Sequence, residues 1–350
     1  MADANPPTAN PNPLPSPGPH SVPSAAAPGS NSGSAPGSTP GSTLDEPSPT
    51  GPQQIIEFGD YRAVLTGVGA GLRALSHRGR PLLLKYPQEQ QAPGAAGQLL
   101  IPWPNRVRDG RYRFDGHDQQ LDISEPPTHN ASHGFVRWLP WRVMAEDASS
   151  VRFGLRLYPM HGYPHLLDLT ASYRLDESGL SVEVAARNVG RTAAPYGIGA
   201  HPYITLGMGP GSVDESVLEL PADTWIPVDE RMIPVGREDV QGTGYDFRKP
   251  RLVGDTRLDT AYTGLSRDPD GRARVRLTSA DGARGVELWV GEEIGWLQLY
   301  SADGLPGVYH RAGVAVEPMS CPPNAFATGE DVLRLEPGER VTHRWGIKAL

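Results

Sequence analysis

The chain has 350 residues, 38% of them hydrophobic and 21% charged, with a formal net charge of −8. Its one cysteine, Cys321, excludes an intramolecular disulfide, and no run of 18 apolar residues is present to cross a membrane as a helix. A mildly acidic chain without a basic stripe is a poor match for nucleic acid or an anionic membrane, so neither is expected as a partner.

Residues 1–54 are rich in Pro, Ala, Ser and Gly, and Leu14, Val22 and Leu44 are almost their only large apolar residues. Such a segment cannot bury enough surface to offset its ordering entropy, so a disordered tail is predicted there, followed by one folded domain over 55–350. Removing the tail takes away Asp3, Asp45 and Glu46 and leaves a net charge of −5. The start of the chain has neither a basic n-region nor an apolar h-region, and a lone thiol suits a reducing compartment. A cytoplasmic protein, monomeric or weakly dimeric, is the expectation.

From Gln54 the texture changes to short apolar runs between Gly-rich and polar turns. VRFGLRLY, LDLTASYRLDESGLSVEVAARN, RARVRLTSADGARGVELWV and LQLYS are alternating or β-branched and spaced as in an all-β sandwich. Asp109-Gly110 within RVRDGRYRF, Glu177-Ser178-Gly179 and Asp281-Gly282 are predicted hairpin turns. No sustained, capped helical pattern and no second low-complexity linker appears, so the fold class is all-β: one large antiparallel domain.

Chemistry-bearing residues form islands. In Pro102-Trp103-Pro104-Asn105-Arg106 two prolines stiffen a loop offering an indole, an amide and a guanidinium. An exposed indole beside hydrogen-bonding groups suits a sugar, although a Pro-rich corner with a structural Arg106 ion pair reads equally well. His129-Asn130-Ala131-Ser132-His133-Gly134 follows, then Gly197-Ile198-Gly199-Ala200-His201-Pro202-Tyr203, in which His201 titrates near neutrality and precedes a proline. The His129/His133 and His161/His165 spacings would align metal ligands on a helix. Both lie in Gly/Pro-punctuated stretches, and on a strand residues four apart are about 13 Å apart, so no metal is predicted. In Arg257-Leu258-Asp259-Thr260-Ala261-Tyr262, Asp259 could accept from a substrate hydroxyl or cap a turn.

The last island, Tyr309–Phe326, contains GVAVE as a strand with Val314 and Val316 on one face and Glu317 on the other. Pro318 holds Glu317 extended, and a carboxyl where water is scarce has its pKa raised toward the range of a general base. A surface Glu paired with an arginine is the competing reading. Cys321, four residues on, is read as a buried apolar residue more readily than as a nucleophile.

The order of these islands, Asn105-Arg106, His133-Gly134, His201-Pro202-Tyr203, Leu258-Asp259 and Glu317, resembles the aldose 1-epimerase (galactose mutarotase) family from about Ile55 to Leu350. The resemblance implies a β-supersandwich of stacked antiparallel sheets, preceded here by the tail. It also implies cofactor-free interconversion of the α and β anomers of a free aldose. The residue matching Glu317 would take the C1-hydroxyl proton and that matching His201 would protonate the ring oxygen. Those matching His133, Arg106 and Asp259 would hydrogen-bond the sugar, and Trp103, Asn105 and Tyr203 join the expected binding set. His133-Gly134-Phe135, where many members have two glycines, resembles a divergent branch. A hexose-6-phosphate 1-epimerase, with a phosphate clamp drawn from Arg106, Arg108, Arg111 or Arg137, is an alternative on the same fold. A non-catalytic sugar-binding or sensor protein is another, and a glycosidase using Asp259 and Glu317 is a fourth reading.

Overall fold

The computed structural model describes residues 48–350. The predicted tail therefore lies, up to residue 47, outside the described residues. The first strand, Gln53–Phe58, begins two residues before the boundary read from composition, because Gln53 and Gln54 pair with Thr66 and Leu65.

The described chain is built of antiparallel strands; its one α-helix among the described residues is the single turn Ala325–Thr328. Three sheets of four, nine and eight strands dominate, with three two-stranded pairs beside them. The reason is in the residues. Leu167–Asp176 buries almost every second side chain, the period-two pattern of a strand with one face covered. It turns at Glu177-Ser178 and pairs with Gly179–Asn188 from Asp176↔Gly179 to Leu167↔Asn188. One continuous apolar core joins Ile56 and Leu65 of the four-stranded sheet, Phe153, Tyr173 and Leu288 of the nine-stranded sheet, and Leu297 and Val316 of the eight-stranded sheet. The expected all-β class of antiparallel sheets is what the described residues form. No helix among them is long and apolar enough to cross a membrane.

One expected hairpin is displaced. Asp109 and Gly110 do turn, both at positive φ, but the arms on either side do not pair with each other. Arg106–Arg108 pairs with Asn130–Ser132, and Arg111–Phe114 pairs with His117–Gln120 around Asp115-Gly116. Two Asp-Gly steps lie six residues apart, and both adopt the left-handed conformations a tight turn needs. The second closes the hairpin. The first releases Arg106–Arg108 to a distant partner, and that carries Arg106 into a cavity.

Trp103 is also not where its sequence neighbours put it. It is 2% exposed, edge-on to Phe135 at 4.9 Å between centroids and 5.5 Å from Phe326. The expected exposed sugar platform is a core residue: the two flanking prolines turn the loop so that its largest apolar side chain faces inward. Replacing a fully buried indole by Ala costs on the order of 3–5 kcal/mol. Trp103→Ala is therefore expected to lower the urea midpoint sharply, and a variant of wild-type stability would place the indole outside the core.

Candidate active site

The strand Val314–Met319 is buried at all six positions, so the face carrying Glu317 is covered as fully as the face carrying the valines. On one side it pairs with Trp296–Tyr300, setting Gln298 opposite Glu317. On the other it meets two short strands, with Gly199 opposite Met319 and Tyr203 opposite Ala315. Both pairs keep one register, and Val316 N–H donates to Pro202 O at 3.0 Å between them, so His201 falls opposite Glu317. Pro202 and Pro318 have no N–H to give the ladder, so the chains continue as strands without a full set of cross-strand bonds there. His201 Nε2 lies 3.2 Å from Glu317 Oε1, and both side chains are nearly sealed from solvent, at 6% and 3% exposed.

Around this pair lies a cavity of about 470 Å³, within the range of small-molecule sites. Its walls include Asn105, Arg106, His133, His201, Tyr203, Asp259 and Glu317. The fold thus gathers seven of the eight residues singled out from the sequence, and leaves out Trp103.

Their roles in the wall differ. Arg106 makes a bidentate pair with Glu125, at 2.8 and 3.0 Å, and its Nη2 stands 3.8 Å from Asp259. Asp259 Oδ1 accepts from Gln298 Nε2 at 2.6 Å. Asn105, at φ 52°, accepts from Arg106 N–H on its side-chain oxygen and donates its own N–H to His133 Nδ1 at 3.2 Å. His133 is therefore the tautomer with its proton on Nε2, a neutral donor. Gly134 fixes that histidine: a Cβ there would sit 2.0 Å from Ile101 O, and its φ is +62°. One glycine is enough, and the next residue, Phe135, packs on Trp103. Tyr203 stacks on the His201 ring at 4.9 Å and donates its hydroxyl to Gly94 O, so it braces the imidazole.

Burial governs the protonation of the pair. Loss of hydration pushes the Glu317 carboxyl well above the ordinary range; Asp259 adds to the rise and Arg106 opposes it. The same loss lowers His201 to about 3, and the Arg137 and Arg106 guanidiniums also lower it. Both groups are driven toward their neutral forms, so burial favours the pair as carboxylic acid and imidazole, holding one proton. This corrects the expectation of a histidine that begins protonated by virtue of its ordinary pKa. His133, though partly open to the cavity, is lowered by desolvation and by the same cationic neighbours.

His133, His201 and Glu317 each offer a ligand atom, all within 4.8 Å of one another. Donors around a zinc ion at about 2.0–2.2 Å stand closer, roughly 3–3.5 Å apart. Moreover, His133 has committed Nδ1 to Asn105, and Arg106 and Arg137 add positive charge. The set suits proton transfer better than a cation. The four-residue histidine pairs do not converge: His129 binds Asp109, and His161 binds Asp122. Cys321 is fully buried with its thiol raised to about 12, which makes it a small apolar residue and no nucleophile.

Sequence reading missed Glu125, Gln298, Trp138 and Tyr300 as wall or support, and named Arg137 only as a candidate phosphate clamp. Glu125 had a signal, since Glu125-Pro126 repeats the acid-before-proline pattern of Glu317-Pro318. Gln298 is a polar residue in the apolar strand Trp296–Tyr300 and is 3% exposed. Trp138, 53% exposed beside Arg137, takes the surface position in the cavity wall that had been assigned to Trp103.

The chain was compared with known proteins. It is 38% identical over 282 residues to a protein of Escherichia coli strain K12 named uncharacterized protein YihR, covering 80% of this chain and 88% of that one. It is 29% identical over 277 residues to human galactose mutarotase, covering 72% and 78% respectively. Its fold matches the structure of a GalM/aldose epimerase homologue from C. elegans with a TM-score of 0.76 at 20% identity, over 85% of this chain and 99% of that one. The sequence model of the aldose 1-epimerase family matches residues 53–348. The chain belongs to the aldose 1-epimerase family.

Proposed function

We propose that the protein is an aldose 1-epimerase that interconverts the α and β anomers of a free aldose, with Glu317 and His201 as its acid–base pair. The observation that carries this reading is the 3.2 Å approach of His201 Nε2 to Glu317 Oε1 in the wall of a sugar-sized cavity. Anomer exchange moves one proton off the C1 hydroxyl and one onto the ring oxygen. Those two oxygens share a carbon, so acceptor and donor must stand within a few ångströms of each other.

The proton balance closes within the pair. In its ion-pair form, Glu317 takes the hydroxyl proton as C1–O5 breaks and C1=O forms, and His201 gives its proton to O5. The pair is left neutral, as carboxylic acid and imidazole. After rotation about C1–C2, His201 takes the C5-hydroxyl proton and Glu317 protonates the carbonyl oxygen as the ring closes on its other face. The neutral form favoured by burial is thus the state that waits on the open sugar. Sugar hydroxyls bound to the carboxylate would shift the balance back toward the ion pair. His133 Nε2–H is a neutral donor for the ring oxygen, and Arg106 and Asp259 are suited to hold hydroxyls. No cofactor is needed for this sequence of steps.

An anionic sugar, such as a hexose 6-phosphate, is the second reading, and Arg137 favours it. Of the four candidate clamp arginines, Arg106 and Arg137 line the cavity, and Arg106 is paired with Glu125. Arg137 has no carboxylate partner among the described residues, and burial lowers it to about 10. Saturation-transfer NMR between anomeric protons, run on free and phosphorylated aldoses, tests both readings. Faster exchange of free aldoses, unchanged in Arg137→Met, is expected. Exchange confined to phosphorylated sugars and lost in Arg137→Met would give the second reading, and binding without exchange would make the protein a sensor. Cytoplasmic placement and a monomeric or weakly dimeric state are part of the proposal; the single buried thiol fits a reducing compartment.

A further inference from the structure

Nothing along the chain reads as a basic stripe, but the nine-stranded sheet makes one. Arg142–Glu146, Ser150–Leu157, Leu167–Asp176, Gly179–Asn188 and Arg340–Ala349 lie side by side in it. Their register puts seven arginines on the face turned away from the core. Two are neutralised: Arg156 holds Asp168 at 2.6 and 2.8 Å, and Arg344 holds Glu183 at 2.9 Å. Arg142, Arg152, Arg174, Arg187 and Arg340 are exposed and have no carboxylate partner among the described residues. Arg187 and Arg340 stand directly opposite each other on adjacent strands, and like charges so placed destabilise a sheet. The other half of the same sheet shows the usual arrangement. There Glu219, Arg276, Glu287 and Lys348 form one row whose sign alternates strand by strand, with contacts of 3.1, 2.8 and 3.2 Å.

Between the arginine rows runs a trough of about 440 Å³, with Arg152 on one side and Arg187 and Arg340 on the other. Along its line Gly154, Thr170, Ala185 and Thr342 are neighbours across four strands, and none carries a long side chain. Arg142 stands opposite Gly154 at one end. We propose that this trough binds an extended acidic segment of a partner polypeptide, its consecutive Asp or Glu side chains reaching alternately to the two arginine rows. Side chains of an extended chain point to opposite sides in turn, and a guanidinium fork matches a carboxylate. At about 4.8 Å per strand the five strands span roughly 19 Å, the length of about six extended residues. Exposed Met144, packed on Gly154, and exposed Tyr158, beside Arg156, add apolar contacts at the rim. The margins select against wider anions. Glu146, Asp147, Asp176 and Glu177 lie in turns at one end of the strands, and Glu336 and Glu339 at the other. A bilayer or a duplex laid over the face would meet these acids, whereas a single chain crossing the strands avoids them. In a protein of net charge −8 the positive potential is confined to this face.

The docking site does not depend on the mutarotase reading. Fluorescein-labelled hexaglutamate is titrated with the full chain, and anisotropy is read at about 20 and about 200 mM salt. Saturable binding at the lower salt, at least about tenfold weaker at the higher, is expected, with hexaglutamine unbound. Arg187→Gln combined with Arg340→Gln should weaken it about fivefold or more, and Arg152→Gln on the facing row about twofold. Arg111→Gln combined with Arg113→Gln, an equal change of charge on another hairpin, should leave it unchanged. The urea midpoint of the first double variant should hold or rise, because two opposed cations are gone, and this separates a lost contact from a lost fold. Absence of hexaglutamate binding, equal losses in the two double variants, or no loss in either trough variant would overturn the site. Preference for phosphatidylglycerol vesicles or duplex DNA over the peptide at the same salt would overturn the acidic segment as its occupant.

Discussion

Glu317→Gln is expected to reduce anomer exchange by about 10²–10⁴-fold while sugar affinity changes only a few-fold, because a positioned general base contributes on that order. The amide keeps the volume of the buried side chain and can still hydrogen-bond a hydroxyl, but it cannot accept the hydroxyl proton. Packing should survive the exchange, since a neutral carboxyl is already the form that burial favours at this site. Exchange NMR reads the rate and calorimetry the affinity. Near wild-type exchange would remove Glu317 from the chemistry whatever the binding result.

His201→Asn should cut the rate by a similar factor, and its pH profile carries the sharper information. The pair is productive while it holds one proton. It gains a second below the lowered pKa of His201, about 3, and loses its only proton above the raised pKa of Glu317. In the wild type, kcat/KM should therefore stay level through pH 6.5, the ordinary histidine value, and fall only well below it on the acid side. A limb centred near 6.5 would mean that the imidazole titrates as if hydrated, and the buried-pair account would be wrong. In His201→Asn the acid limb should move up to the raised pKa of Glu317, because the lone carboxyl must then be ionised to act as base. Combining it with Glu317→Gln should cost little more than either change alone, because the two groups act as a unit.

The pattern of short alternating runs between Gly and Pro turns was enough to read the all-β class, since a period of two is a local property. The chain order of the islands carried the family, and the Glu-Pro and His-Pro steps singled out Glu317 and His201. Where the sequence misled, the cause was competition between equal local signals. Asp109-Gly110 and Asp115-Gly116 are both good turns, and only pairing across the fold chose which one closed a hairpin. Trp103 and Trp138 are both indoles near an arginine. Packing against Phe135 and Phe326 took the first into the core and left the second at the cavity.

What the amino-acid sequence determined by itself was the strand content and the types of residue that could move protons. The facing of Glu317 and His201 was decided by tertiary structure, because it depends on one strand holding register with two others more than a hundred residues away. The neutral state of that pair was decided there too. Both pKa directions come from the loss of water around the side chains, and burial is a property of everything packed against a residue rather than of its neighbours in the chain.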